Sequence, residues 1–182
     1  MLRVAAGTET EEFAALPNVV YHVVEGEAEV VVGADTASIA PGVTLFVRGR
    51  AVRAFREVSA DLFLVALYAN SRPDSDDPLL RVIPRDELLE TKDSNQNILH
   101  RAIEVESVTV GALMLPREIG GDLLVRHGVD ELKYVIRGGG TIDAGPDVIP
   151  VEAGYVLFVD RSLTHRFTRL WRDLDVLFVW GR

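Results

Sequence analysis

The chain has 182 residues, of which 48% are aliphatic or aromatic and 26% are charged, so it can bury a substantial core. Its formal net charge of −9 argues against a general role in binding nucleic acid or an anionic membrane surface, because proteins bind both mainly through Lys and Arg side chains. The absence of cysteine excludes disulfides, thiolate metal sites and cysteine nucleophiles.

No segment of the sequence predicts export or membrane insertion. The first twelve residues become acidic before any long apolar run forms, which is not the pattern of a signal peptide. The longest apolar runs, such as 62–69, are far too short to cross a bilayer. We therefore expect a cytoplasmic protein whose partner is a small molecule rather than a nucleic acid or a membrane.

The sequence repeats itself at an offset of 112 residues. At this offset the segment 23–26 falls on 135–138, and 42–47 falls on 154–159. The register holds without a gap from Gly26 to Tyr68, which makes chance a poor explanation. The chain is therefore predicted to contain two copies of one unit.

Each copy predicts short strands and little helix. Runs rich in Val, Ile, Phe and Tyr alternate with Gly, Pro, Asp and Asn, and the segments 32–35 and 143–147 are typical of hairpin connections. One short helix is predicted at 84–92, after a polar, turn-rich segment at 70–78.

These elements predict an all-β fold in three regions. An N-terminal unit is expected at 1–69, a linker with a short helix at 70–96, and a C-terminal unit at 97–182, whose first strands are predicted at 98–105 and 108–115. Antiparallel all-β units of this kind suggest paired barrels, because closure removes the sheet edges and leaves a cavity at one mouth.

Two motifs in the C-terminal unit are similar to those of the cupin superfamily. The first cupin motif has a His-x-His pair with Glu three or four residues later; here Val125-Arg-His127 is followed by Glu131. The second motif ends in a His that corresponds to His165, although Asp160 and Ser162 replace its Pro and Gly. With the repeat, the chain resembles a bicupin over nearly its whole length outside the linker. The resemblance implies two tandem double-stranded β-helix (jelly-roll) barrels.

The resemblance also implies a metal centre, in the C-terminal barrel alone. Cupins commonly hold one divalent metal with three His and one Glu, and three of these positions match, as His127, Glu131 and His165. Such ligands suit Fe(II), Mn(II), Ni(II), Co(II) or Zn(II). The alternative is a barrel that has lost its metal and keeps these residues as hydrogen-bonded relics. The corresponding N-terminal residues, which could not form that site, are Phe13, Ala15, Val19 and Arg53.

Four further residues are candidates for a site. Lys133 shares the strand face of Glu131, so it is predicted to point inward, either as a proton carrier or paired with a carboxylate. Arg53 could bind a carboxylate or phosphate in the first barrel. Candidates for substrate contacts are Phe167, which matches a Phe of the first repeat, and His100, although a lone His in a strand is more often structural.

Taken with the resemblance, these residues favour a metal-dependent enzyme acting on a small organic molecule. Both dioxygenase-type and isomerase or cyclase chemistry are compatible with the ligands. The alternative is a non-catalytic bicupin that binds a small molecule or has a structural role. Because cupins often pair through edge strands, a homodimer is also expected.

Overall fold

The computed structural model describes residues 1–69, 79–84, 87, 91–92, 98–105, 108–121, 125–126 and 128–181. Within these residues the strands form two antiparallel sheets, which confirms the all-β prediction. The chain divides into two compact units, Met1–Glu87 and Leu88–Arg182. In this part of the chain no helix is long and apolar enough to cross a bilayer.

The N-terminal unit contains one antiparallel sheet. Its strands are β1 (Leu2–Val4), β2 (Asn18–Val32), β3 (Asp35–Ile39), β4 (Thr44–Val47), β5 (Arg53–Ala69) and β6 (Leu80–Ile83). They are hydrogen-bonded in the order β1-β5-β2-β4-β6, and β3 pairs with β2. Alternate residues of β2 and β5 face a core rich in Val, Leu and Phe.

The C-terminal unit contains the second sheet. Its strands are β7 (Thr91–Lys92), β8 (Ile98–Val105), β9 (Val108–Leu115), β10 (Glu131–Ala144), β11 (Asp147–Glu152), β12 (Val156–Val159) and β13 (His165–Gly181). They follow the order β11-β10-β13-β9-β8-β7, and β12 pairs with β10. A short 3-10 helix, Arg117–Ile119, follows β9.

The backbone repeats in the two units at the offset seen in the sequence. The limits of β4 and β12, and of β5 and β13, each differ by 112 residues, as from 53 to 165. Backbone angles repeat too: Gly26 and Gly138 have φ of 84° and 90°, and Glu57 and Arg169 both have φ of 48°. A non-glycine residue rarely adopts such an angle, so the bend at this point of β5 and β13 is a property of the unit. The closure of each unit into a barrel stays a prediction.

Only part of the predicted linker lies within the described residues. The helix expected at 84–92 lies largely outside the described residues, and its last two residues form β7 instead. The strand β6 also lies within the predicted linker, where Leu80, Val82 and Ile83 supply apolar side chains to the first sheet. The predicted hairpin connections at 32–35 and 143–147, and the strands at 98–105 and 108–115, are confirmed.

Candidate metal centre

Three polar side chains of the C-terminal unit are almost completely buried together. Glu131 and Lys133 lie two residues apart on β10, so they share a face, and they are 1% and 3% exposed. His165, the first residue of β13, is 2% exposed. Burial of this degree is uncommon for charged groups unless they are paired, so the cluster requires mutual compensation.

The curvature of β10 and β13 brings these residues together. Glu131 pairs with Trp180 at one end of the ladder between the two strands, whereas His165 pairs with Ala144 at the other end. Three register shifts interrupt this ladder between Val135 and Thr141, and such shifts increase local twist and bending. The two ends of the ladder therefore approach each other in space.

The Glu131 carboxylate is the centre of the cluster. Lys133 Nζ donates a hydrogen bond to Glu131 Oε1 at 2.7 Å. Glu131 Oε2 lies 3.0 Å from His165 Nε2, an ion-pair distance. Both atoms belong to side chains that are at most 2% exposed.

The backbone around His165 fixes the imidazole. His165 exchanges two backbone hydrogen bonds of 2.9 Å with Val125, in the segment that precedes β10. His165 Nδ1 lies 3.4 Å from the Leu163 carbonyl oxygen, which leaves Nε2 directed to the side of Glu131. A carbonyl on the distal ring nitrogen is the usual way in which proteins orient a metal-binding histidine.

The turn before His165 compensates for the replaced Pro and Gly. The Asp160 carboxylate accepts hydrogen bonds from the backbone N–H and hydroxyl of Ser162, and Leu163 N donates to Asp160 O at 2.9 Å. The two hydrogen bonds from Ser162 lower the pKa of Asp160, whose side chain is exposed in this turn.

A second carboxylate supports the same turn. Arg161 donates to Asp130 from its backbone at 3.0 Å and from its guanidinium at 2.9 Å, and this lowers the pKa of Asp130. Because Asp130 directly precedes Glu131, the contact ties the start of β10 to the turn that carries His165.

An aromatic wall covers the ammonium of Lys133. Its Nζ lies 5.6 Å from the ring centre of Phe167 and 5.9 Å from that of Phe178. Phe178 stacks on Trp180 with ring centres 4.7 Å apart. Phe178 is a contact that the sequence analysis missed. Phe178 lies directly opposite Lys133 in the ladder between β10 and β13, a pairing that no local pattern in the sequence encodes.

The structure brings together some of the predicted site residues and not others. Glu131, Lys133, His165 and Phe167 lie together in the C-terminal unit, whereas Arg53 is buried in the N-terminal unit. The structure includes His100 only through its backbone, which pairs with Ala112 in β8 and β9. His127 lies outside the described residues.

The described side chains fit part of a cation site. Glu131 and His165 are adjacent donors of the types that divalent transition metals prefer. Among the residues that the structure describes, no group of three His, Cys, Asp or Glu side chains comes together. The third ligand that the resemblance implies, His127, lies outside the described residues.

No family model matches the chain, and no curated protein matches its sequence significantly. Solved structures do match it. AerE from Microcystis aeruginosa has a TM-score of 0.81 at 10% identity, covering 99% of this chain and 85% of that one. A cupin 2 conserved barrel domain protein from Leptotrichia buccalis has a TM-score of 0.67 at 13% identity, covering 99% and 81%.

An oxalate decarboxylase from Lactobacillus farciminis, solved as a formate complex, also matches, with a TM-score of 0.78 at 10% identity. The match covers 99% of this chain and 75% of that one. At such low identities, likeness shows the fold and nothing of the reaction. The chain therefore has the fold of the cupin proteins.

Proposed function

We propose that the C-terminal unit binds one divalent metal through His127, Glu131 and His165 and acts on a small organic molecule. The observation that carries the proposal is the approach of Glu131 Oε2 to within 3.0 Å of His165 Nε2 in a buried cluster. A carboxylate oxygen and an imidazole nitrogen held this close together are ligands of the types that divalent transition metals bind.

The chemistry of these ligands limits the kind of metal. An imidazole nitrogen and a carboxylate oxygen suit Fe(II), Mn(II), Ni(II), Co(II) or Zn(II).

The surrounding residues have separate roles in this proposal. A bound divalent metal supplies Lewis-acid polarisation of a substrate oxygen and open positions for chelation. Lys133, held on Glu131 Oε1 at 2.7 Å, fixes the carboxylate and carries a proton at the edge of the site. Phe167 and Phe178 exclude water from the same side.

The solved structures support the size of the substrate but not its identity. One of the matching folds is an oxalate decarboxylase that was solved with formate, a small carboxylate. The apolar rings around Lys133 are compatible with a substrate that has an uncharged body. We therefore infer a small organic substrate that presents at least one oxygen to the metal.

Metal analysis of protein purified without chelators tests the proposal. We expect about one transition-metal ion per chain, lost in Glu131→Gln, His165→Gln and a variant lacking the His127 imidazole. The matched control is His22→Gln, because His22 is a buried histidine of the N-terminal unit that contacts Thr44 Oγ1 at 2.9 Å. Protein that contains no metal, and takes up none on addition of these ions, would refute the proposal.

The second candidate is a metal-free binding protein, and one contact favours it. The Lys133 ammonium already neutralises Glu131 at 2.7 Å. If the ammonium replaces the metal, Lys133→Met will destabilise the protein whether or not metal is supplied. If a metal binds beside it, Lys133→Met will keep one metal per chain, and added metal will restore the stability that the variant loses.

A further inference from the structure

We propose that the N-terminal unit contains a second binding site, in which Arg53 holds the carboxylate of a small organic acid. This site is separate from the proposed metal centre and does not depend on it. Arg53 begins β5 and is 1% exposed, one of the largest fully buried side chains of the described chain.

The guanidinium of Arg53 has unsatisfied hydrogen-bond donors. Its Nε, Nη1 and Nη2 atoms are all buried, and none has a hydrogen-bond partner among the residues that the structure describes. Arginine remains charged at any physiological pH, so it cannot escape this environment by losing a proton. A buried charge without a counterion is strongly unfavourable, which points to an anion as the missing partner.

Two aromatic rings compensate for part of the charge. The guanidinium carbon lies 5.3 Å from the ring centre of Phe13 and 5.6 Å from that of Tyr21. Such contacts offset part of the cost of burying a cation but supply no ordinary hydrogen-bond acceptor. The Nε, Nη1 and Nη2 atoms thus still lack partners among the described residues, and a carboxylate would bind them in the two-pronged geometry that arginine favours.

The Tyr21 hydroxyl does not take the place of that anion. Burial raises the pKa of Tyr21, and the charge of Arg53 together with a hydrogen-bonding interaction opposes the rise. That interaction lies outside ordinary hydrogen-bond geometry, since no Arg53 nitrogen has a partner by distance and angle within the described part of the chain. A neutral phenol also leaves the positive charge uncompensated.

Comparison of the two units shows how the difference arises. At the repeat offset, Arg53 corresponds to His165 and Val19 corresponds to Glu131. The backbone matches as well: Arg53 exchanges hydrogen bonds of 2.9 and 3.0 Å with Phe13, as His165 does with Val125. Loss of the carboxylate and gain of a permanent cation convert a cation-binding arrangement into an anion-binding one.

The lining selects an organic carboxylate rather than an inorganic anion. Tyr21 and Phe55 pack at 5.6 Å between ring centres, edge to face, and Phe13 lies 6.3 Å from Phe55. Phe55, Val19 and Tyr21 are each no more than 2% exposed. Because these side chains pack against one another, a bound acid has to displace them, and an apolar or aromatic body then replaces the contacts that they lose. Inorganic phosphate would lose its hydration without that gain.

Calorimetric titration of chelator-treated full-length protein with benzoate tests the site. We expect saturable one-to-one binding, and weaker or no binding of inorganic phosphate. Arg53→Met should weaken benzoate binding about 10- to 100-fold, the range for loss of charge-assisted hydrogen bonds. Arg56→Met is the matched control, because it removes the same charge three residues away at a side chain that is 43% exposed.

A second variant keeps the test decisive if Arg53→Met does not fold. Val19→Glu places a carboxylate where the other unit has Glu131, so it should neutralise Arg53 internally and abolish benzoate binding. Binding should persist in Glu131→Gln, which separates this result from the fate of the metal centre. The proposal is overturned if benzoate does not bind, if phosphate binds more tightly, or if Arg53→Met or Val19→Glu leaves the affinity unchanged.

Discussion

Gly138 and Gly154 provide a matched pair for measuring how closely β10 and β13 approach. Both residues have left-handed φ angles, 90° and 91°. A Cβ atom on Gly138 would lie 1.8 Å from the Asp173 carbonyl oxygen, whereas a Cβ on Gly154 would meet nothing within 4 Å. Alanine at either position therefore incurs the same backbone strain, but only Gly138→Ala also forces two strands apart.

The magnitude follows from these two contributions. A left-handed angle costs an alanine about 1–2 kcal/mol, which is the full expected loss for Gly154→Ala. Displacing packed backbone adds about 1–3 kcal/mol more, so Gly138→Ala should lose about 2–5 kcal/mol of unfolding free energy. With urea m-values of about 1–3 kcal/mol per molar, the midpoint of Gly138→Ala should lie about 1 M below that of Gly154→Ala.

Tryptophan fluorescence during urea unfolding is a suitable assay. Both tryptophans of the chain, Trp171 and Trp180, lie on β13, so the signal reports the unit that contains both glycines. Equal midpoints for Gly138→Ala and Gly154→Ala would refute the reasoning. So would a greater loss in Gly154→Ala.

Three further predictions concern charged and titratable groups. In denaturant titrations of chelator-treated protein, Glu131→Gln should lose about 3–5 kcal/mol of unfolding free energy, because the buried Lys133 ammonium loses its carboxylate. The double variant with Lys133→Met should recover part of this loss. Arg161 lowers the pKa of Asp130 below its ordinary 3.8, so Asp130 stabilises the fold above that value and loses this effect as pH falls through the folded pKa. Asp130→Asn should therefore lower the urea midpoint near neutral pH, and lower it less as pH falls below 3.8; an effect of equal size at neutral and acid pH would contradict the pairing. Burial raises the pKa of Tyr21 above 10.0, so ultraviolet titration should show one of the four tyrosines ionising late, and stability should fall as pH rises above 10.0 because only the unfolded chain ionises there. Simultaneous ionisation of all four in the folded protein would contradict the burial of Tyr21.

The sequence was sufficient to predict those features that depend on local periodicity. The alternation of strand faces predicted that Lys133 points to the same side as Glu131, and the repeat predicted the matching strands of the two units. Local periodicity could not predict the contact of Glu131 with His165, because the two residues lie at opposite ends of the ladder between β10 and β13. There the resemblance to cupins supplied what periodicity could not.

Other features depended on long-range geometry that no local pattern encodes. Phe178 pairs directly with Lys133 across β10 and β13, whereas Phe167 pairs with Ile142 and reaches Lys133 because β13 bends. The sequence signal for that bend is weak, since Arg169 has a left-handed angle without being glycine. The strand β6 falls within the predicted linker because the segment before it, 70–78, is rich in polar residues. Its assignment to the first sheet follows from pairing with β4, not from its own sequence.

The bend at Arg169 allows one strand, β13, to supply both aromatic rings near the Lys133 ammonium. Phe167 precedes the bend and Phe178 follows it, yet both rings lie within 6 Å of the same ammonium. A change in the angle at Arg169 would thus widen or narrow the space around Lys133 without altering any residue that touches it. A single exposed position on β13 therefore sets the spacing of the two rings around the ammonium.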